Sequence, residues 1–220
     1  MFSEYVKARY TSVMEIVAIF VTILIAVTVH EAMHGYVSNW LGDDTARLSG
    51  RLTLNPIAHI DPMMTILLPT VLFLAGGPIF GAAKPVPFNP YKLKYGDFGS
   101  ALVAISGPLT NLGLAAFAGI ILRLAPFSQQ FTGMLVTFAA INVGFFVFNM
   151  IPIPPLDGSR LLYAFAPDWL QDIMKRIESF GLLSIVIFML LFFNFLSSYI
   201  LRAIISILGL LIGESTLNSL

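Results

Sequence analysis

The sequence predicts an all-α polytopic membrane protein, with about five transmembrane helices and one re-entrant or interfacial segment at 63–80. Three observations predict it. Of the 220 residues, 57% are hydrophobic and only 11% are charged, against about 25% charged in average soluble domains. Mean hydropathy is +0.87. The apolar residues are gathered into runs long enough to cross a bilayer as helices. One compact transmembrane domain over 1–220 suffices for this length, with a core at about 12–158 and C-terminal helices at about 180–213. The formal net charge is zero and no basic block occurs, so nucleic acid is not an expected partner.

Lys7 and Arg9 precede an apolar run, which superficially looks like a signal peptide. No small-x-small cleavage site followed by a polar mature region appears, so the run reads as a retained span from about Ser12 to Leu41. Gly42 ends it, and 43–62 is a polar loop whose Gly, Asn-Pro and Asp-Pro steps mark turns. Met63 to Ala75 is apolar but short, about 20 Å as a helix, and Pro69 interrupts it. Pro78, Pro85, Pro87 and Pro90 rule out a regular helix across the following stretch. Further spans are expected at about Ser100–Leu124 and Thr132–Ile151. Residues 159–179 are polar and amphipathic. Two last apolar runs, about Phe180–Phe195 and Tyr199–Ile212, are expected to break near Asn194 to Ser198.

The first span ends in His30-Glu31-Ala32-Met33-His34, an H-E-x-x-H motif. Positions i and i+4 share a helix face, so the two imidazoles can point at one cation, with Glu31 beside the metal but not bound to it. That is the arrangement of zinc metalloproteases: two nitrogen ligands, a position left for water, and a carboxylate to take the water's proton. Ile16 to Val29, just before it, holds nothing more polar than two threonines. A Glu and two His at such depth are costly unless they pair or bind something. The bland alternative is a helix end already among the headgroups.

The chain has no Cys, so a third protein ligand must be His59, the one remaining histidine, or a carboxylate. Asp157 is one candidate: Pro152, Pro154 and Pro155 hold the backbone extended before it, and Gly158 permits a turn after it. It could equally be an interfacial Asp capping the next helix. His59 lies in a polar loop, where a lone His is usually solvated or hydrogen-bonded.

With His30-Glu31-x-x-His34, Gly107-Pro108-x-x-Asn111 and Asn149-x-x-Pro152-x-x-Pro155-Leu156-Asp157-Gly158 in this order, the chain resembles the site-2 protease family of intramembrane zinc metalloproteases. The likeness is to its small bacterial and archaeal members without a PDZ domain. Gly50–Pro56 and Lys84-Pro85-Val86-Pro87 resemble the same members. The resemblance implies one zinc held by His30, His34 and Asp157, with Glu31 as general base and Asn149 assisting at the scissile carbonyl or the substrate strand. Asn111 carries over more weakly, as helix packing. Substrates would be transmembrane proteins or peptides, cut inside the bilayer near its cytoplasmic face.

If a metal joins His34 and Asp157, the C-terminal ends of the first and third spans lie at one face, and 63–80 cannot cross. Arg47, Arg51, Lys84, Lys92, Lys94, Arg160, Lys175 and Arg176 fall on that face, and Lys7, Arg9, Arg123 and Arg202 on the other. The excess points to a cytoplasmic site in a multi-pass protein of the cell membrane, although Lys7 and Arg9 pull the other way. An extended substrate could add as a strand along 50–56 or 84–90. Two rivals stand: a metal-binding transporter, weakened by the lack of an inverted repeat, and a pseudoprotease that only binds transmembrane helices, in which Glu31 would have no task.

Overall fold

The computed structural model describes residues 13–67 and 83–213. Seven α-helices are found there, and no strand. The first, α1 (Val13–Trp40), is followed by a single turn, α2 (Thr45–Leu48). Then come α3 (Gly96–Leu124), α4 (Gln129–Asn149), α5 (Asp157–Phe165), α6 (Asp168–Ser179) and α7 (Leu182–Ile212). Four of these are long and apolar enough to cross a membrane: α1, α3, α4 and the 195–212 part of α7.

The C-terminal runs correct the sequence expectation. They do not break near 194–198 but form one helix of 31 residues. The reason is local: no Gly or Pro occurs from Leu182 to Leu208, and serine in an apolar helix can return its hydroxyl to a carbonyl of the preceding turn without ending the ladder. The expected re-entrant path of 63–80 lies outside the described residues, apart from a π-helical turn at Pro62–Leu67.

Helix α3 is the centre of the bundle, packed against α1, α4, α5 and α7. Small side chains make this closeness available: Ala26, Ala32, Ala115, Ala118 and Ala139 are fully or almost fully buried. Large apolar residues point the other way, with Ile16, Phe20, Phe117, Leu124 and Leu210 all exposed. In water such a surface would aggregate, and in lipid it costs nothing. Beyond α4 the chain turns into two short amphipathic helices. On α6, Trp169 and Ile173 are exposed beside Asp172, Lys175 and Arg176, the mixture expected of a helix lying at the bilayer surface.

The loop after α1 is stitched to the segment that leads into α3. Asp43 is fully buried, and its Oδ1 accepts the backbone N–H of Thr45 at 3.0 Å while its Oδ2 accepts that of Asn89 at 2.6 Å. The N–H of Lys94 reaches Leu41 O at 2.9 Å, the N–H of Lys84 reaches His59 O at 2.9 Å, and Lys92 pairs with Asp44. Residues 41–62 and 83–95 therefore lie together at one end of the bundle. The stretches 50–56 and 84–90 contain no strand.

Candidate metal centre

His30 and His34 lie one turn apart on α1, both buried. Asp157 opens α5, where the proline-rich connection from α4 delivers it. Gly158 fixes that delivery, since a Cβ there would lie 2.4 Å from Met150 O and 2.8 Å from Ile151 O. Only a residue without a side chain lets the start of α5 rest on the end of α4.

Three donor atoms converge. His30 Nε2 and His34 Nε2 are 3.0 Å apart, and Asp157 Oδ2 lies 3.1 Å from the first and 3.4 Å from the second. The other ring nitrogens say which lone pairs these are. His30 Nδ1 sits 2.6 Å from Asn111 Oδ1, and His34 Nδ1 sits 2.8 Å from Val103 O. Both partners only accept, so both Nδ1 atoms carry hydrogen and both Nε2 atoms face inward as lone pairs. Two imidazole lone pairs and a carboxylate oxygen thus meet in a buried place with no donor between them. Asp157 Oδ2 has no hydrogen-bond partner of good geometry. A cation resolves this arrangement, and its size suits zinc: ligand distances of 2.0–2.1 Å in a tetrahedron put neighbouring donors about 3.3 Å apart. Among the described residues this is the one group of three such side chains that could hold a metal.

Helix α3 supplies the rest of the setting. Gly107 faces the two rings, and a Cβ there would lie 2.6 Å from His34 Nε2 and 2.8 Å from His30 Cε1. Pro108 follows it inside the helix and has no N–H to return to Ala104. Val103 O takes a second bond, from Ser106 Oγ at 2.6 Å.

The three donors open on a cavity of about 550 Å³, which Glu31 and Asn149 also line. Its walls are mostly apolar, with Val86, Phe88, Phe145, Phe148 and Leu156. Glu31 Oε2 accepts the backbone N–H of Val86 at 3.0 Å. Asn149 Nδ2 donates back to Phe145 O at 3.0 Å. Arg160 and Glu178 form an ion pair in the cavity wall.

The structure brings together His30, Glu31, His34, Asn149 and Asp157, and it leaves His59 out. His59 is buried, with Nε2 at 2.9 Å from Thr53 O, and its backbone carbonyl holds Lys84. Sequence reasoning gave Asn111 too small a part and passed over Gly107 as a contact and Val86 as the partner of Glu31. For the first two, the spacing of Gly107 and Asn111, one turn apart on a single helix face, is the trace that points to them.

The model of peptidase family M50 matches residues 125–193. YwhC of Bacillus subtilis strain 168, named as a candidate zinc metalloprotease, is 38% identical over 191 residues, which cover 82% of each chain. Rip2 of Mycolicibacterium smegmatis, named in the same way, is 26% identical over 170 residues, 76% of this chain and 64% of that one. Rip2 of Mycobacterium tuberculosis strain H37Rv is 27% identical over 169 residues, with the same coverage. No solved structure matches.

Proposed function

The chain belongs to peptidase family M50 and is a zinc metalloprotease with membrane-spanning helices, and from that premise we propose that it cuts transmembrane protein substrates within the bilayer, near the cytoplasmic face. In this reading His30, His34 and Asp157 hold the zinc, Glu31 is the general base, and Asn149 handles the substrate backbone. The observation that carries it is the convergence of three lone pairs beside Glu31 in one largely apolar cavity.

Zinc held there supplies a Lewis acid for the scissile carbonyl and brings the pKa of the attacking water toward ~7. Glu31 takes the proton of that water and passes it to the leaving amine. The Val86 N–H on Oε2 fixes the carboxylate and leaves Oε1 for the proton. Asn149 commits its Nδ2 to Phe145 O, so its Oδ1 is available to a substrate N–H. The substrate must enter unwound, because a carbonyl inside a helix is already bonded to the N–H four residues on.

Two experiments test this. Purified protein in detergent is expected to cleave members of a panel of single-span substrates, to stop on chelation and to resume with added zinc. No cleavage anywhere in the panel by protein carrying one zinc per chain would favour a protein that binds transmembrane helices without cutting them. For sidedness, the Cys-free chain allows single-cysteine labelling. Cysteines at Asp44 and Tyr91, beside each other on the stitched loops, should react with impermeant reagent from the cytoplasm. One at Ala125, between α3 and α4, should react only from the opposite side. The reverse pattern would turn the site outward.

A further inference from the structure

We propose that Asn111, held in place by Asn142, is the positioning residue that fixes the tautomer of His30 and so presents its Nε2 lone pair to the metal. The inference rests on the zinc site proposed above and gives Asn111 a task that packing alone does not require.

The argument runs along a chain of hydrogen bonds in which each bond decides the direction of the next. Asn142 Nδ2 donates to Phe138 O, one turn back on α4, at 2.9 Å. Its Oδ1 is therefore the end turned toward α3, where it lies 3.0 Å from Asn111 Nδ2. The same Nδ2 lies 3.1 Å from Ala26 O on α1. Both neighbours are acceptors, so the NH2 end of Asn111 must be here, and both its hydrogens are used. The Oδ1 of Asn111 is then the atom 2.6 Å from His30 Nδ1, and it can only accept. His30 must carry its hydrogen on Nδ1, which leaves the lone pair on Nε2. A flip of either amide would set acceptor against acceptor. Both asparagines are wholly buried, so water cannot stand in for a missing partner.

The second ligand does not need such help. His34 Nδ1 is held by Val103 O, a backbone carbonyl that no side-chain substitution removes. Of the two imidazoles, His30 alone is oriented by a side chain. An asparagine serving only to pack α3 would return its amide to its own helix, as Asn142 and Asn149 do with one hydrogen each. Asn111 instead spans three helices and ends on a ligand.

The test compares zinc affinity by chelator competition in wild type, Asn111→Leu, Asn142→Leu and His34→Ala, with the 15N spectrum of the histidine rings alongside. Asn111→Leu keeps the branched shape of the side chain, with bulkier ends, and removes both polar ends of the amide. Loss of an outer-shell partner typically costs 10–100-fold in metal affinity, and that loss is expected here. Asn142→Leu should lose less, because Ala26 O still holds Asn111. In zinc-loaded wild type the His30 ring should show hydrogen on Nδ1 and metal on Nε2, a measurement that needs no substitution. Metal on Nδ1 would overturn the inference, and so would an Asn111→Leu protein that binds zinc as tightly as wild type. If His34→Ala loses zinc while Asn111→Leu does not, the positioning role falls and the zinc site stands. If His34→Ala keeps its zinc, the site itself is wrong.

Discussion

Replacing Glu31 by Gln is expected to leave zinc content and fold intact and to lower the rate of peptide cleavage about 10²–10⁴-fold, the range associated with a positioned general base. The structure says why the fold should survive. The contact that Glu31 makes with the protein is the N–H of Val86, and the carbonyl oxygen of a Gln side chain can accept that N–H as a carboxylate does. The proposed ligands His30, His34 and Asp157 are unchanged in the variant. What is lost is the capacity to take a proton, since an amide oxygen is far too weak a base. Zinc stoichiometry and turnover of a verified substrate, measured on the same preparation, check both halves. Turnover near the wild-type rate with zinc retained would remove Glu31 from the mechanism.

A second large effect, on metal and not on proton transfer, is expected from Gly107→Ala. The added methyl would start 2.6 Å from His34 Nε2 and 2.8 Å from His30 Cε1, inside contact distance of both rings at once. Neither ring can move away without straining a hydrogen bond, to Val103 O for one and to Asn111 for the other. Metal sites tolerate errors of about 0.2 Å in donor position, and a shift large enough to relieve this contact exceeds that. Zinc affinity should fall by at least the 10–100-fold expected for loss of an outer-shell partner. Gly113→Ala on the same helix is the control. A Cβ there meets nothing within 4 Å, so it should leave affinity unchanged and add about 0.5–1 kcal/mol of helix stability. Equal zinc affinity in the two variants would show that α3 does not press on the ligands.

The spans and the facing histidine pair were legible in the sequence because each rests on local order. Gly42 and the polar residues after it bound α1, and His30 and His34 share a face by helix geometry alone. Asp157 was legible in part: three prolines and a glycine around one carboxylate mark a stiff backbone, but only the folded chain shows that it reaches the histidines. Asn111 was harder. One asparagine in an apolar helix looks the same whether it packs, bonds its own backbone or orients a ligand, and its partners at 26, 30 and 142 are remote in the chain. The Val86 contact of Glu31 was illegible for the same reason, since a backbone N–H leaves no mark in side-chain identity. The merging of the last two runs was misjudged because Asn194, Ser197 and Ser198 are polar, and polarity without Gly or Pro does not end a helix.

The triangle of His30, His34 and Asp157 has a mechanical consequence. No disulfide can brace this chain, which has no cysteine. A metal held between α1 and the start of α5, as proposed, would close a loop that contains the whole of α3 and α4. Closing so long a loop costs entropy that grows only slowly with its length, and the ion's binding energy is set against it. On that proposal the ion would be a clasp as well as a reagent, and its affinity would become part of the stability of the bundle. Helix α7 lies outside the clasped loop. Stripping the metal should therefore loosen the chain first where α5 meets α1, so that an emptied molecule parts at its own cleft.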